Sequence, residues 1–586
     1  MSTTDTSLLD WKILLQTLKN NENTNTTTID DILKPLYDVI NSSNNAKEHV
    51  RALRCALILS THKKCKDDTT VPASSDDMAT LQVRIKTCRS LIQFLTTKDV
   101  ESSSSSSNEQ NDVAINRGAR ICTLASKVLC NLCTHEPHII SQLNLPLTQQ
   151  YDIVEGDVSF LGMLLQNSGN RECMAAVLAT LHNYCAFLQK SRANLDFLQS
   201  IASDSIFMSN LMRYLLPSTC IQKTGEENDE TPNSATATED DACTEWIVLL
   251  IQRLLYFEMS IHENENNNDN SEFGSSIQED EGPDDDFASP VTMLEHMYNS
   301  CGAALQQNLH AKCTLEQVVL LYTVHSILEE IYDDSMGNGV VFSFSELLCM
   351  MLYLSQQLEY MCSARDNVSS DDEQFAGERD SQNAAIGVMM DIISSMLLLV
   401  DNGKYSIIRP SSRVNADSTD DDSNSMQRKD IFQNKHQVRE RILQRTNIFS
   451  SSIHLLDRIV QSYSTNKSAS LSPKHSHSQN NDGLLRSTLR LITNILHESF
   501  TAQEMLRDIK FEAGEKCGVH VILSCTGLDM KKGNSAKFVR EWAVVAIRNM
   551  LDGNVKNREL VEKLNVTERI KANKRDAAFN HRGASL

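Results

Sequence analysis

The sequence predicts an all-α protein built from stacked helix pairs, and three observations predict it. Turn formers are scarce, with 20 Gly and 10 Pro among 586 residues, while Leu, Ile, Met and Ala abound, the composition of helical chains. Apolar positions recur at the 3.6-residue period of a helix buried on one face. An Asn-centred pattern returns four times, which points to repeated units. A chain of this length allows several domains or one extended array.

The periodic stretches come in order as Trp246 to Met259, Val318 to Tyr332, Phe344 to Met361, Ile448 to Val460 and Leu484 to His497. No alternating strand pattern interrupts them. The most apolar run, Ile386 to Val400, contains Asp391 and is too short to cross a bilayer, so a buried helix is expected. Between the helices lie polar segments at 223–243, 263–287, 365–380 and 411–427, which together hold 27 acids and 4 bases. They account for essentially the whole formal charge of −22. Such segments cannot bury enough apolar surface to offset the entropy of ordering, so they are expected to be disordered insertions. Ser102 to Ser107 and Ser464 to Asn481, with its His475 and His477, read the same way. The acidity opposes non-specific contact with nucleic acid or anionic lipid.

The organisation that follows has helical repeats over 1–220, then acidic insertions over 221–290 flanking a helix at 244–261. Central repeats follow over 291–463, with inserts near 364–384 and 410–430. A loop is expected at 464–483, a distinct block at 484–567, and a flexible basic tail at 568–586. The first residues lack a basic region followed by an apolar core, so no secretory signal is visible. The sixteen cysteines sit inside apolar helical patterns and read as reduced core thiols in a cytoplasmic protein.

The repeat is SKVLCNLC at Asn131, ATLHNYC at Asn183, RLITNIL at Asn494 and AIRNML at Asn549. Apolar residues stand two before, one after and two after each Asn, which is one helix face at i, i+3, i+4. Twelve residues on comes another apolar residue: Leu143, Leu195, Leu506 or Val561. The spacing within the two pairs is 52 and 55 residues, somewhat above an armadillo or HEAT unit, as insertions would produce. One hairpin cannot bury such a face, but a stack can. The expected fold is an armadillo/HEAT-like α-solenoid carrying long disordered acidic and polar insertions, with a multi-helix bundle as the alternative.

The densest helix reads FVREWAVVAIRNMLDGN over 538–554. Val539, Trp542, Ala543, Ala546, Ile547, Met550 and Leu551 form one broad apolar face. Asn534 or Ser535 is placed to cap its start and Gly553 to end it. Arg548 and Asp552 stand at ion-pair spacing, and Trp542 is expected to anchor the next helix, Asn557 to Leu564. The longer block FVREWAVVAIRNMLDGNVKNRELVEKL resembles the signature of the ataxin-10 family's C-terminal domain, through Phe538, Arg540, Glu541, Trp542, Ala543, Ala546, Ile547, Arg548, Asn549, Asn554 and Asn557. LLRSTLRLITNILHESFTAQEML and VILSCTGLD precede it in the family's order, and the match covers about 484–567. Two departures stand out. Ala536-Lys537 replaces the family's Asn-Pro before the Phe, and the connector through MKKGNSAK is longer, so the helix entry loses the φ that proline presets. The resemblance implies a helical armadillo-like fold and a cytoplasmic interaction protein linked to cell division, cytokinesis included, or to signalling.

Other constellations have bland readings. Cys130-x-x-Cys133 with His135 and His138 spells a zinc site, but Cys133 is a repeat-face position and Cys185 its counterpart, so core cysteines are expected. GEKCG at 514–518 lacks the strand and spacing of a phosphate loop, and no nucleophile elbow or HExxH helix occurs. No catalytic residue, cofactor or metal is expected. Asn131, Asn183, Asn494 and Asn549 could contact a peptide backbone, since an amide both donates and accepts, or could bond a neighbouring helix end. Arg540 and Arg548 are further candidate partner-binding residues, and Phe538, Trp542, Ala546 and Ile547 are packing residues. The expected function is a non-catalytic adaptor for other proteins, without nucleic acid or membrane insertion, and with self-association into a homo-oligomer left open. The rival is a nuclear-transport or cargo carrier reading Lys/Arg peptides through Trp-Asn pairs. Of Trp11, Trp246 and Trp542, only Trp542 lies in an aligned unit, which weakens that rival.

Overall fold

The computed structural model describes residues 53, 85–92, 108–135, 163–164, 170–188, 195–215, 242–255, 292–302, 313–333, 342, 344–366, 376–405, 435–465, 478–511, 516–528 and 534–564. Helix dominates them and, among the described residues, no strand occurs, so the protein is all-α. An isolated antiparallel bridge joins Lys510 and Cys517. The chain forms two compact units, Met1–Ile261 and His262–Leu586.

In the first unit, α1 (Asn108–His135) and α5 (Ala242–Leu255) pack on either side of α2 (Arg171–Leu188). The shorter α3 (Leu195–Ser203) and α4 (Ser205–Leu215) pack on each other, and α4 also packs on α5. Side-chain caps explain where the helices begin. Asp204 accepts from the Phe207 N–H at 2.8 Å, which fixes the start of α4. Asn170 accepts from the Cys173 N–H at 3.2 Å while its own amide donates to the Ala119 carbonyl at 2.7 Å, so one side chain both starts α2 and ties it to α1.

The second unit is two rows of helices. One row runs α7 (Leu315–Asp333), α9 (Ala376–Asp401), α11 (Ser478–Leu496) and α14 (Asn534–Leu551), each packed on the next. The other runs α6 (Met293–Gly302), α8 (Phe344–Asp366), α10 (Ile448–Thr465) and α13 (Gly518–Thr526). Each member of the second row also packs on its chain neighbour in the first. The helix over 435–445 precedes α10, and α12 (Phe500–Asp508) precedes α13. Thr314 and Gln317 cap α7 reciprocally, at 3.0 and 2.9 Å.

The helix α9 is the core of this unit. Its span Ser381–Asp401 has mean hydropathy 1.9 and is 83 % buried inside the protein. By length and composition it is long enough to span a bilayer, but its sides are taken by α7, α8 and α11. Each fully buried Leu, Ile or Met here contributes about 1.5–3 kcal/mol.

The helices intrude on several expected loops. The helix α8 continues to Asp366 and α9 begins at Ala376, inside the insert expected near 364–384. Likewise α10 reaches Thr465 and α11 begins at Ser478, inside the loop expected at 464–483. Polar composition failed as a guide because cross-links hold these ends. Gln382 donates to the Met361 carbonyl at 3.4 Å, and the Tyr463 hydroxyl donates to Asp482. The helix expected at 244–261 is described as α5, ending at Leu255. The remaining insert segments, Trp11, His138, Leu143, His475, His477 and the tail at 568–586 lie outside the described residues.

Candidate functional site

The family-like block folds as α14 followed by a helix over 555–564. Its buried face is narrower than the apolar face of the sequence. Val539, Ala543, Ala546 and Met550 are fully buried, at i, i+4, i+7 and i+11. Trp542, Ile547 and Leu551 flank them half-buried. Phe538 is 47 % exposed and is corrected from packing residue to surface residue: one position before Val539 turns it about 100° off the buried stripe. Val544 and Val545, at 60 % and 41 % exposed, join it on the outer side with Arg540 and Arg548.

Two details at the helix ends also differ from expectation. The helix already includes Asn534, upstream of a cap position there. The ion pair expected between Arg548 and Asp552 does not form, because the helix ends at Leu551 and Gly553 turns the chain with φ +69°. Asn554 then caps the next helix, accepting from the Asn557 N–H at 3.0 Å. Asn557 is the anchor there, where Trp542 was expected to serve. It is fully buried, and its amide donates to the Gln503 and Met550 carbonyls, both at 3.0 Å. Its oxygen accepts from Arg507 at 3.4 Å. The DGNVKN stretch is therefore a helix stop, a helix start and a three-way clamp within six residues.

The four repeat asparagines lie on α1, α2, α11 and α14. Asn183 donates to Thr134 Oγ1 at 2.7 Å. Asn494 is buried and its amide faces the Ser394 carbonyl at 3.4 Å. Asn549 donates to the Thr493 carbonyl at 3.0 Å. In each of these three the amide reaches back to an earlier helix packed against its own, so at least one donor is committed to helix packing. Asn131 is half-buried on α1.

Buried polar groups that the repeat pattern missed seal the row. Asp391 accepts from Ser487 at 2.7 Å and from Arg490 at 3.3 Å, and Arg490 also reaches Ser395 at 3.2 Å. Arg439, 1 % exposed, pairs with Asp401 at 2.8 Å and donates to the Asn494 carbonyl at 3.0 Å. Asp391 was visible in sequence as a lone acid in an apolar run, whereas Arg439 gave no signal in its charged segment. Of the GEKCG stretch, Lys516, Cys517 and Gly518 are described, and each has a structural part. Lys516 pairs with the buried Asp457, and a Cβ on Gly518 would stand 2.6 Å from the Leu506 carbonyl oxygen. His520 Nδ1 accepts from the Cys517 N–H at 3.0 Å and lies 3.1 Å from its thiol, closing a capping box at the start of α13.

Cys133 lies in the core at 1 % exposed, and its thiol is raised well above the usual range by a hydrogen bond with Cys88 and by burial. Burial pushes Cys173 and Cys185 up to about 12. Such protonated thiols behave as packing groups. Among the described residues, no group of three or more His, Cys, Asp or Glu side chains could hold a metal ion.

Residues 484–579 match the family model of the spinocerebellar ataxia type 10 protein domain. No curated protein and no solved structure matches the chain. The matched segment starts within α11 and takes in α12, α13, α14 and the helix at 555–564, the region where Asn549, Asn554 and Asn557 knit the helices together. Residues 484–579 thus form a C-terminal domain of the ataxin-10 type.

Proposed function

We propose that the protein is a non-catalytic, armadillo-like α-solenoid scaffold that presents helix faces to other proteins. The observation that carries this reading is the outer side of α14, where Phe538, Val544 and Val545 are exposed beside Arg540 and Arg548. Exposed apolar residues gathered on one helix mark a contact surface better than scattered ones. The two-row packing supports the solenoid, since a short helix, a second helix and a row helix recur as 435–445, α10, α11 and again as α12, α13, α14. The cytoplasm is the proposed location, and the family resemblance supports a role in signalling or cell division, cytokinesis included.

A second copy of the chain is a partner that this face would fit. Paired antiparallel about a point between Val544 and Val545, Glu541 of one copy would face Arg548 of the other, twice over, as a two-fold contact requires. The test is affinity capture from cytoplasmic extract, together with the mass in solution, for the full chain and for Val544→Asp/Val545→Asp. Loss of captured proteins or of self-association, with the helical signal unchanged, is the expected result. A variant that captures the same proteins and keeps the same mass would defeat the assignment to α14. Fractionation that finds the native protein outside the cytoplasm would refute the location.

A further inference from the structure

We propose that the outer side of α7 docks a basic amphipathic helix of a partner protein, laid along Leu315, Val319 and Tyr322 with its Lys/Arg side chains on Glu329 and Glu330. This rests on the scaffold reading and gives it a partner chemistry, on a different helix from α14.

The end of the row supplies the surface. Within the second unit α9 and α11 each have a row helix on both sides, whereas α7 has α9 on one side and α6 behind it. The buried residues Leu320, Leu321, Val324, Ile327 and Leu328 turn one face of α7 into that packing. Opposite them Leu315, Val319, Tyr322, Ser326 and Glu329 follow at i, i+4, i+7, i+11 and i+14, a straight stripe along the helix. Leu315 is 49 % and Tyr322 53 % exposed, Val319 is half-buried between them, and Ser326, Glu329 and Glu330 are exposed. The stripe is therefore apolar for its first two turns and acidic at its far end, over about 22 Å.

Charge selects the occupant and its direction. The α7 sequence, LEQVVLLYTVHSILEEIYD, holds four acids and no Lys or Arg. Glu329 meets the His325 ring at 3.6 Å, and Glu330 has no ion-pair partner among the described residues. The ammonium of Lys404 beside this end is already committed: it donates to the Tyr332 carbonyl and lies 5.0 Å over the Tyr332 ring. Glu329 and Glu330 stand near the C-terminus of α7, where the helix dipole is itself negative, so cations are favoured there and acids are not. A partner's Lys or Arg relieves that repulsion, and an antiparallel partner helix adds its positive N-terminal end. At the opposite end Arg486 is exposed on α11 and bears on Tyr322, so the partner's bases belong in its first turns and its apolar residues farther along. An acidic helix would meet like charge at Glu329 and Glu330. An extended segment would find no sheet edge to pair with among the described residues, whereas a helix packs on a helix face with axes about 8–10 Å apart. One helix face makes a small interface, so a weak, transient contact is expected.

The test is fluorescence anisotropy on the full-length chain with two labelled amphipathic peptides of about 16 residues. They share one apolar face, and one carries Lys/Arg and the other Asp/Glu in its first two turns. The Lys/Arg peptide is expected to bind and to weaken as salt rises. Glu329→Lys/Glu330→Lys should weaken it about tenfold or more and turn the preference to the Asp/Glu peptide. Thermal unfolding of that variant should be unchanged or raised, because cations suit a helix C-terminus. Leu315→Ser/Tyr322→Ser should weaken binding by a similar factor with the helical signal unchanged, since both side chains are exposed. Val544→Asp/Val545→Asp should leave this binding alone, so failure of the α7 face and failure of the α14 surface are read separately. Equal or tighter binding of the Asp/Glu peptide, no binding of the Lys/Arg one, or full affinity in either α7 variant would each overturn the proposal. Binding that emerges only after deletion of residues 568–586 would overturn the partner assignment in favour of the chain's own basic segment.

Discussion

The two neighbouring junctions of the C-terminal unit are sealed by different chemistry. Between α9 and α11 the seal is ionic: Asp391 with Arg490, and Asp401 with Arg439, which also grips the Asn494 carbonyl. Between α11, α12, α14 and the helix at 555–564 the buried part is made by the neutral amides of Asn549, Gln503 and Asn557 on backbone carbonyls, with charge confined to its more exposed edge, where Arg507 and Lys556 meet Glu504 and Arg507 also donates to Asn557. A buried ion pair depends on both partners, because either charge alone is costly. An amide on a carbonyl loses less when cut, since no net charge is stranded. The difference teaches where the unit is brittle: at the ionic junction in its middle more than at the family signature.

The sharpest way to break this contrast is Asp401→Ala, which strands Arg439 in the core. It is expected to cost about 3–5 kcal/mol, read as a fall in the denaturant midpoint of the helical signal. Asn557→Ala removes three hydrogen-bond partners without stranding a charge, and about 3 kcal/mol or less is expected by the same measurement. An Asn557 loss exceeding the Asp401 loss would reverse the ranking of the junctions. Gly518→Ala forces its new methyl against the Leu506 carbonyl, at a cost of about 1–3 kcal/mol. At the surface, Phe538→Ser should stay within about 0.5 kcal/mol; a larger loss would return Phe538 to the core.

A pH series sharpens the contrast further. His520 is held below its ordinary value of 6.5, first by burial and then by Lys516 and Lys510. Its neutral ring accepts the Cys517 N–H, so the folded state binds fewer protons than the unfolded one. The stabilisation is complete above the unfolded value and is lost as pH falls below about 6.5. His520→Gln should flatten that share of the acid sensitivity in thermal unfolding measured from pH 7.5 to 5. An unchanged profile would show that the capping box does not carry it.

Legibility in the sequence followed the range of the interaction. Asn549 and Asn494 stood out through their repeat, and both sit where consecutive row helices touch. The pattern could not assign their hydrogen bonds, because the acceptors, Thr493 and Ser394, are 56 and 100 residues away. Asp391 was visible as an anomaly in an apolar run, but its partners Ser487 and Arg490 lie 96 and 99 residues on. Phe538 was misread because a sequence shows a wide apolar arc and cannot say how much of it a neighbour covers. Gln382 and Asp482 lie in polar segments that read as loops, and only packing turned them into helix ends.

By itself the sequence determined the all-α class, the helical period of the apolar positions, the stop at Gly553 and the family of the C-terminal block. These depend on period, composition and backbone preference, which act within a few residues. Only the tertiary structure decided which helices share a row, that three of the repeat asparagines reach back to an earlier helix, and that Arg439 and Asp401 meet in the core. It also decided which side of α14 faces solvent. Those outcomes depend on groups brought together across tens of residues, where burial fixes which polar atoms must find each other.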